Sequence, residues 1–396
     1  MKKVLAFMLL FVFAFSSTVA VFAEGGGNNE AETYQLKGVE FDANCGSALL
    51  MEAATGTVLY AHNPAHEASP ASVTKIMTLL LVMEAVEEGT LSLDEQISIS
   101  ENASSMGGSQ VFLKEGERMS AEELIKCTVI ASANDAALAL AERVCGSAES
   151  FVQRMNERSR ELGMTNTHFD NPTGLDDTTD NNYTSAMDIA VMSRELIRYP
   201  LITKYSSMWQ DSIRNGEFTL TNTNRLVRYY DGCNGLKTGS TDKAGYCISA
   251  TAKRGDMQLI AVVMGADTRD SRNEIARKLL DLGFANYAVY TDTEQMVENV
   301  PVWGGTRDSV AVYSRTFSAI VNRSDLSRLS KVYSIPDHIV APATSATPVG
   351  EISYEFDGKK IGKSELFIKE GVEKIGVLSL LWRILRTAAL GESKNQ

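Results

Sequence analysis

Three short motifs in a fixed order constrain this chain more than anything else in it: Ser72-Val73-Thr74-Lys75, Ser132-Ala133-Asn134 and Lys237-Thr238-Gly239. Alone, an S-x-x-K match carries little, because composition supplies roughly one or two in a chain of this length. Together the three supply different parts of one chemistry. Ser72 and Lys75 stand three apart where a helix is expected to begin after Pro70, so they share a helix face and the amine can reach the hydroxyl. A serine becomes a nucleophile at neutral pH only beside a base. A lysine serves as that base only when burial and a neighbouring cation favour its neutral form, and Lys237 is the candidate cation.

Ser132 and Asn134 fall between two helical stretches, Ala121 to Val129 and Asp135 to Val144, where a loop can aim both side chains at Ser72. The hydroxyl would relay a proton to a leaving amine, and the amide would hold Lys75 and the substrate. Ordinary helix capping by Asn134 is the competing use. Lys237-Thr238-Gly239-Ser240 lies on an expected strand. Gly239 permits close approach of a substrate backbone, and Lys237, Thr238 and Ser240 form a donor-rich wall suited to a free carboxylate. The N–H groups of Ser72 and Ser240 are the expected oxyanion donors. The implied chemistry is acyl transfer through Ser72.

Around these motifs the texture is strands, then a block of helices, then strands and a helix. Ser47 to Glu52 and Thr57 to Ala61 read as a hairpin, and Ile76, Leu79, Leu80 and Met83 mark a buried helix from Ser72 to about Glu87. A helix from Ser147 to Leu162 with Gly163 as C-cap follows, then one capped by Thr184 and ended before Pro200. Tyr246 to Lys253 and Met257 to Gly265 are strands, and Ser271 to Leu282, closed by Gly283, is a helix. The pattern implies an α+β fold, an antiparallel sheet with helices on its faces and an inserted helical lobe. Residues 34–286 would form the catalytic domain. Short alternating strands at 287–371, with a turn at Asp357-Gly358, would form a small all-β domain.

Both ends read as addresses. Lys2 and Lys3, an apolar run from Val4 to Phe15, and Val21-Phe22-Ala23 make residues 1–23 an export signal, followed by a Gly/Asn-rich linker at 24–33. Within residues 372–396, Ile375, Leu378, Leu381, Trp382 and Leu385 share a helical face opposite Gly376, Ser379, Arg383 and Arg386. That pattern suits an amphipathic helix on a membrane surface, or one docked on the β domain. The net charge of −12 argues against a nucleic-acid partner. Five cysteines match no zinc or redox spacing, and no disulfide is expected among them. Pro64 separates His62 from His66, so neither a metal site nor a cofactor is expected.

With those residues in place, the chain resembles the serine-type D-alanyl-D-alanine carboxypeptidases, the low-molecular-mass penicillin-binding proteins. The likeness extends to the TGTVLY, PASVTKIMT, SANDAA, NPTGL and KTGSTDKAGY stretches. It implies a penicillin-recognising domain of the β-lactamase and transpeptidase type, a β-rich domain and a C-terminal amphipathic anchor. The implied partners are peptidoglycan stem peptides ending in D-Ala-D-Ala, β-lactams as covalent inhibitors, and the outer face of the cytoplasmic membrane. Residue by residue, it implies Ser72 as nucleophile, Lys75 as base, Ser132 and Asn134 in proton relay and positioning, and Lys237 and Thr238 on the substrate carboxylate. Arg272 stands where relatives carry a carboxylate-binding arginine, and Ser240 replaces a histidine found after the K-T-G of some relatives. Two other readings compete. A β-lactamase of class A type needs a glutamate that Gly163 to Asp177 lacks. A catalytically dead wall-binding protein would not need the full set of side chains.

Overall fold

The computed structural model describes residues 44–175, 181–345 and 347–390. The expected export signal, the linker and the tail past Leu390 lie outside the described residues. Strands β1 (Ser47–Glu52) and β2 (Val58–His62) form an antiparallel hairpin. The Glu52 carboxylate closes its turn by accepting from the N–H groups of Ala54 and Thr55 at 3.0 and 2.8 Å. Successive side chains of β1 point to opposite faces. Leu49 and Met51 therefore join one core with Ile76, Leu79 and Leu80, while Ala48 and Leu50 join a second with Ile275, Leu279 and Leu280.

Helix α1 (Lys75–Glu87) is buried at every position from Lys75 to Met83, so it is enclosed on all sides. The helical lobe follows: α2 (Ala121–Lys126), α3 (Asn134–Cys145), α4 (Ala148–Glu161) and α5 (Ala186–Leu196). A reciprocal cap between Ser120 and Glu123 starts α2, and a π turn over Cys127–Ala131 continues it toward Ser132. Gly163, at φ +72°, follows the last residues of α4 as expected. The cap of α5 is Ser185, whose hydroxyl accepts from Asp188 N–H at 3.2 Å. The expected cap, Thr184, is instead held in a bridge to Ala68, two backbone bonds of 3.0 Å that keep its own chain extended.

A short hairpin, β3 (Gln210–Ile213) and β4 (Phe218–Thr221), precedes the long strands β5 (Cys233–Thr241), β6 (Gly245–Arg254) and β7 (Met257–Ala266). The main sheet runs β2-β1-β7-β6-β5, antiparallel at every step, with β5 at its edge. Helix α6 (Arg269–Asn286) covers the face opposite the lobe. It starts earlier than expected because Thr268 and Ser271 cap each other, and it does not stop at Gly283. That glycine serves packing instead, since a Cβ there would lie 2.5 Å from Leu259 Cδ1 and 3.0 Å from Leu50 Cδ2.

Beyond α6, Tyr287–Asp292 pairs with Phe317–Asn322, and a six-stranded sheet contains the Pro348–Phe356 and Lys359–Ile368 hairpin. Its turn is Asp357-Gly358, both at positive φ, the geometry that a right-twisted hairpin favours. The alternation of Ile352 and Tyr354 against Leu366 and Ile368 builds a third core. A last helix, α7 (Val377–Leu390), closes the described chain.

The sheet–helix contact at Gly283 makes a simple prediction. Gly283→Ala gains up to about 1 kcal/mol of helix propensity, yet its methyl must displace Leu259 and Leu50, so a net loss of about 1–2 kcal/mol is expected from overpacking. A denaturant melt checks it: a midpoint at or above that of the parent protein would show that the contact yields freely.

Candidate active site

The expected nucleophile, Ser72, lies just ahead of the helix that the sequence placed it on. Ser72 sits in a 3₁₀ segment, Ala71–Thr74, and α1 begins only at Lys75. In a 3₁₀ turn residues i and i+3 eclipse, which brings Lys75 Nζ to 2.9 Å from Ser72 Oγ. Ala71 pays for the turn with a left-handed backbone at φ +48°, and it is fully buried. Two glycines make room around it. A Cβ on Gly174 would fall 1.8 Å from Ala71 O, and one on Gly239 would fall 2.7 Å from Pro70 O and 2.9 Å from Ser72 N. Strand β5 thus passes directly beside the Ser72 amide.

Lys75 is completely buried. Among the described residues, besides Ser72, its amine bonds an uncharged acceptor, Thr173 O at 2.8 Å. The segment carrying that carbonyl is tied by Asn171, whose Oδ1 accepts from Thr173 N–H, Thr173 Oγ1 and Gly174 N–H at 3.0, 3.1 and 2.7 Å. Thr78 Oγ1 fixes the adjacent Pro172 O at 2.6 Å. Burial, then the positive charge of Lys237, pulls the Lys75 pKa well below the ordinary lysine value, with Asp135 opposing. Asn171, Thr173 and Gly174 are neighbours of the Ser72–Lys75 pair that the three motifs do not include. The N-P-T-G run signals a turn, not where its carbonyl points.

Ser132 is the left-handed residue (φ +62°) that ends the π turn, a conformation that swings its side chain off the helix path. Its Oγ accepts from Lys237 Nζ at 2.7 Å. Asn134 is the first residue of α3 rather than its cap. Its Nδ2 donates to Gly107 O and its N–H to Ser109 O, both at 2.7 Å. The expected link to Lys75 is not among these bonds, and Asn134 Oδ1 is buried with no partner.

On β5, Lys237 is almost fully buried, and burial together with Arg272 pulls its pKa down to about 7. Thr238 Oγ1 donates to Thr223 Oγ1 at 2.8 Å, and Ser240 is exposed at the strand end. Arg272 is only 2% exposed and is engaged inside, on Cys247 O at 3.4 Å and on Asn273 Oδ1 at 3.1 and 2.9 Å. Its charge acts on Lys237 from behind the strand. An exposed guanidinium, Arg225, stands beside the Asn222–Asn224 turn that Asn224 ties to Gly235 O at 2.7 Å. Nothing in the spacing of N-R-L-V-R distinguishes it from a surface arginine. Among the described residues no cluster of His, Cys, Asp and Glu could hold a metal ion, and none of the five cysteines is joined in a disulfide.

An enclosed serine–lysine pair, a serine on a second lysine and an edge strand with K-T-G, set between an antiparallel sheet and a helical lobe, define the penicillin-binding class of fold. The chain belongs to the D-alanyl-D-alanine carboxypeptidase family, whose model matches residues 32–268, with a penicillin-binding protein 5 C-terminal domain matched at 284–374. It is 38% identical over 393 residues to the D-alanyl-D-alanine carboxypeptidase DacF of Bacillus subtilis, covering 97% of this chain and 98% of that one. Penicillin-binding protein 5 of Haemophilus influenzae superposes with a TM-score of 0.75 at 30% identity, over 85% of this chain and 99% of that one. Penicillin-binding protein D2 of Listeria monocytogenes, solved in an ampicillin-bound form, has a TM-score of 0.57 at 31% identity, over 62% and 99%.

If Lys237 receives the substrate carboxylate as the family likeness implies, its lowered pKa sets a direction for capture. Below about 7 the amine is charged and attracts a carboxylate, and as pH rises through that value the free enzyme loses the charge. In a pH series, kcat/KM is expected to fall on the basic side with KM rising, while kcat falls less because a bound carboxylate keeps the proton on Lys237. A KM independent of pH from 6 to 9 (about that range) would contradict it.

Proposed function

We propose that this chain is a serine D-Ala-D-Ala carboxypeptidase that trims the terminal D-alanine from peptidoglycan stem peptides and so limits cross-linking. The observation that carries the residue assignment is the 2.9 Å approach of a fully buried Lys75 amine to Ser72 Oγ, with no carboxylate bonded to that amine. A neutral Lys75 accepts the Ser72 proton as Oγ attacks the penultimate D-alanine carbonyl. The Ser72 and Ser240 N–H groups receive the oxyanion. The proton then passes by way of Ser132 to the leaving nitrogen, and D-alanine departs. Water next attacks the Ser72 ester with Lys75 again taking the proton, which restores the serine. Lys237, Thr238 and Ser240 hold the substrate carboxylate, and the vacant Oδ1 of Asn134 accepts a substrate amide N–H.

The same wall suits the carboxylate of a β-lactam, whose strained amide acylates Ser72 without releasing a leaving group from the site. Residues 163–175 offer Lys75 a backbone carbonyl and contain no glutamate to activate a second water. The adduct should therefore outlast many peptidase turnovers. Ser72→Ala is expected to lose D-alanine release by about 10⁴-fold or more and to form no penicilloyl adduct. A mass-spectrometric time course reads both. Rapid penicillin turnover without adduct would favour a β-lactamase, and an unlabelled parent protein a catalytically dead binder.

We also propose that the chain acts outside the cytoplasm and that α7 lies along the outer face of the cytoplasmic membrane. In support, Leu378, Leu381, Trp382 and Leu385 are all more than half exposed, the first at 82%. Ile375 lies before the helix, paired to Gly304 O, and Arg383 reaches Asp308 and Gly305 O. No described helix is long and apolar enough to cross a membrane. Truncation after Glu373 is expected to free the protein from membranes while leaving hydrolysis of soluble peptide intact. Unchanged sedimentation with membranes would overturn the anchor.

A further inference from the structure

Next to Asn134 stands a carboxylate that none of the three motifs includes. Asp135, in the first turn of α3, is fully buried. Its Oδ2 accepts from Val111 N–H at 3.1 Å and Leu113 N–H at 3.0 Å, and its Oδ1 accepts from Ala136 N–H at 2.9 Å. The strap it grips carries the two carbonyls, Gly107 O and Ser109 O, that hold Asn134. Arg214, at the tip of the β3–β4 hairpin, grips the other side of the strap. It donates to Val111 O at 2.9 Å and Phe112 O at 3.3 Å, and it pairs with Glu117 at 2.7 Å.

Between the two grips Phe112 sits at φ +57° and is 64% exposed. A bulky residue adopts that conformation only where its surroundings over-determine it. The anchoring is therefore stronger than loop closure alone requires. The strap also closes tightly on the amide, since a Cβ on Gly108 would lie 2.8 Å from Asn134 Nδ2.

We propose that Asp135 is a positioning residue for the acylation of Ser72: it locks the 107–113 strap that orients Asn134. This rests on the carboxypeptidase reading given above. The charges around the pair are few. Lys75 is faced by Lys237 from β5 and Asp135 from α3, while the 171–175 segment brings only neutral groups to it. Asp135 is faced by Lys75, by Cys127 of the π turn and by Arg214, with Glu117 and Glu123 beyond them on Arg214 and Cys127. Asp135 opposes the lowering of the Lys75 pKa by burial and by Lys237.

The sign of the effect separates this role from simple scaffolding. An anion stabilises the charged amine, so its removal lowers the Lys75 pKa further and makes the free base available at lower pH. Asp135→Asn keeps the shape and one acceptor oxygen. Its rate of acylation by penicillin, followed from about pH 4 to 9, is expected to drop at least about tenfold at the plateau, with the acid limb displaced downward by about half a pH unit or more. An unshifted limb, or an undiminished plateau, overturns the proposal.

If Asp135→Asn does not fold by circular dichroism, Arg214→Met tests the strap, because Arg214 lies nearer the surface and away from Lys75 and Ser72. It is expected to slow acylation several-fold with the limb in place, and parent-like acylation overturns the proposal. Failure of the parent protein itself to be acylated would strike the carboxypeptidase reading and not this one.

Discussion

A buried amine with no carboxylate bonded to it among the described residues organises the catalytic half of this protein. Lys75 sits in the floor of the site with a hydroxyl and a peptide carbonyl as its bonded partners, and a second amine, Lys237, pushes on it. Burial of an isolated ammonium is costly, and the group responds by shedding its proton. Most of the surroundings serve that state, with Asp135 opposing. An enclosed α1 removes water, the 171–175 turn offers a carbonyl in place of a carboxylate, and the sheet edge brings Lys237 close while Ser132 occupies its amine. The lowered pKa of Lys75 is made by the fold and not by the lysine alone.

The motif residues were legible in the sequence because each triplet is local. The period of three between Ser72 and Lys75, and the shift from alternating to helical patterning around them, required no long-range information. The α+β arrangement and the hairpin at Asp357-Gly358 were legible for the same reason. What remained hidden depends on contacts between distant segments. Thr173 lies 98 residues from Lys75, and nothing in N-P-T-G announces that its carbonyl will meet an amine. Arg272 has the right distance from the last strands, yet its guanidinium turns inward to Cys247 O.

Glycine was misread for a related reason. As a symbol in a sequence, Gly283 resembles a helix stop, because a stop and a close packing contact both exclude a side chain. Only the position of Leu259 tells them apart. Thr184 and Ser185 pose the same problem at the start of α5, where either hydroxyl can cap and the extended bridge to Ala68 decides which one does.

The turn that carries Ser72 is clasped between Gly174 on one side and Gly239 on the other, each with no room for even a methyl group. Neither wall can be rebuilt one side chain at a time, because any added carbon first displaces the backbone of the turn itself. Change by substitution is therefore closed at the two positions that press on that turn. Variation that spares the reaction has to enter at the rim, among residues such as Arg225 and Ser240 that water already reaches.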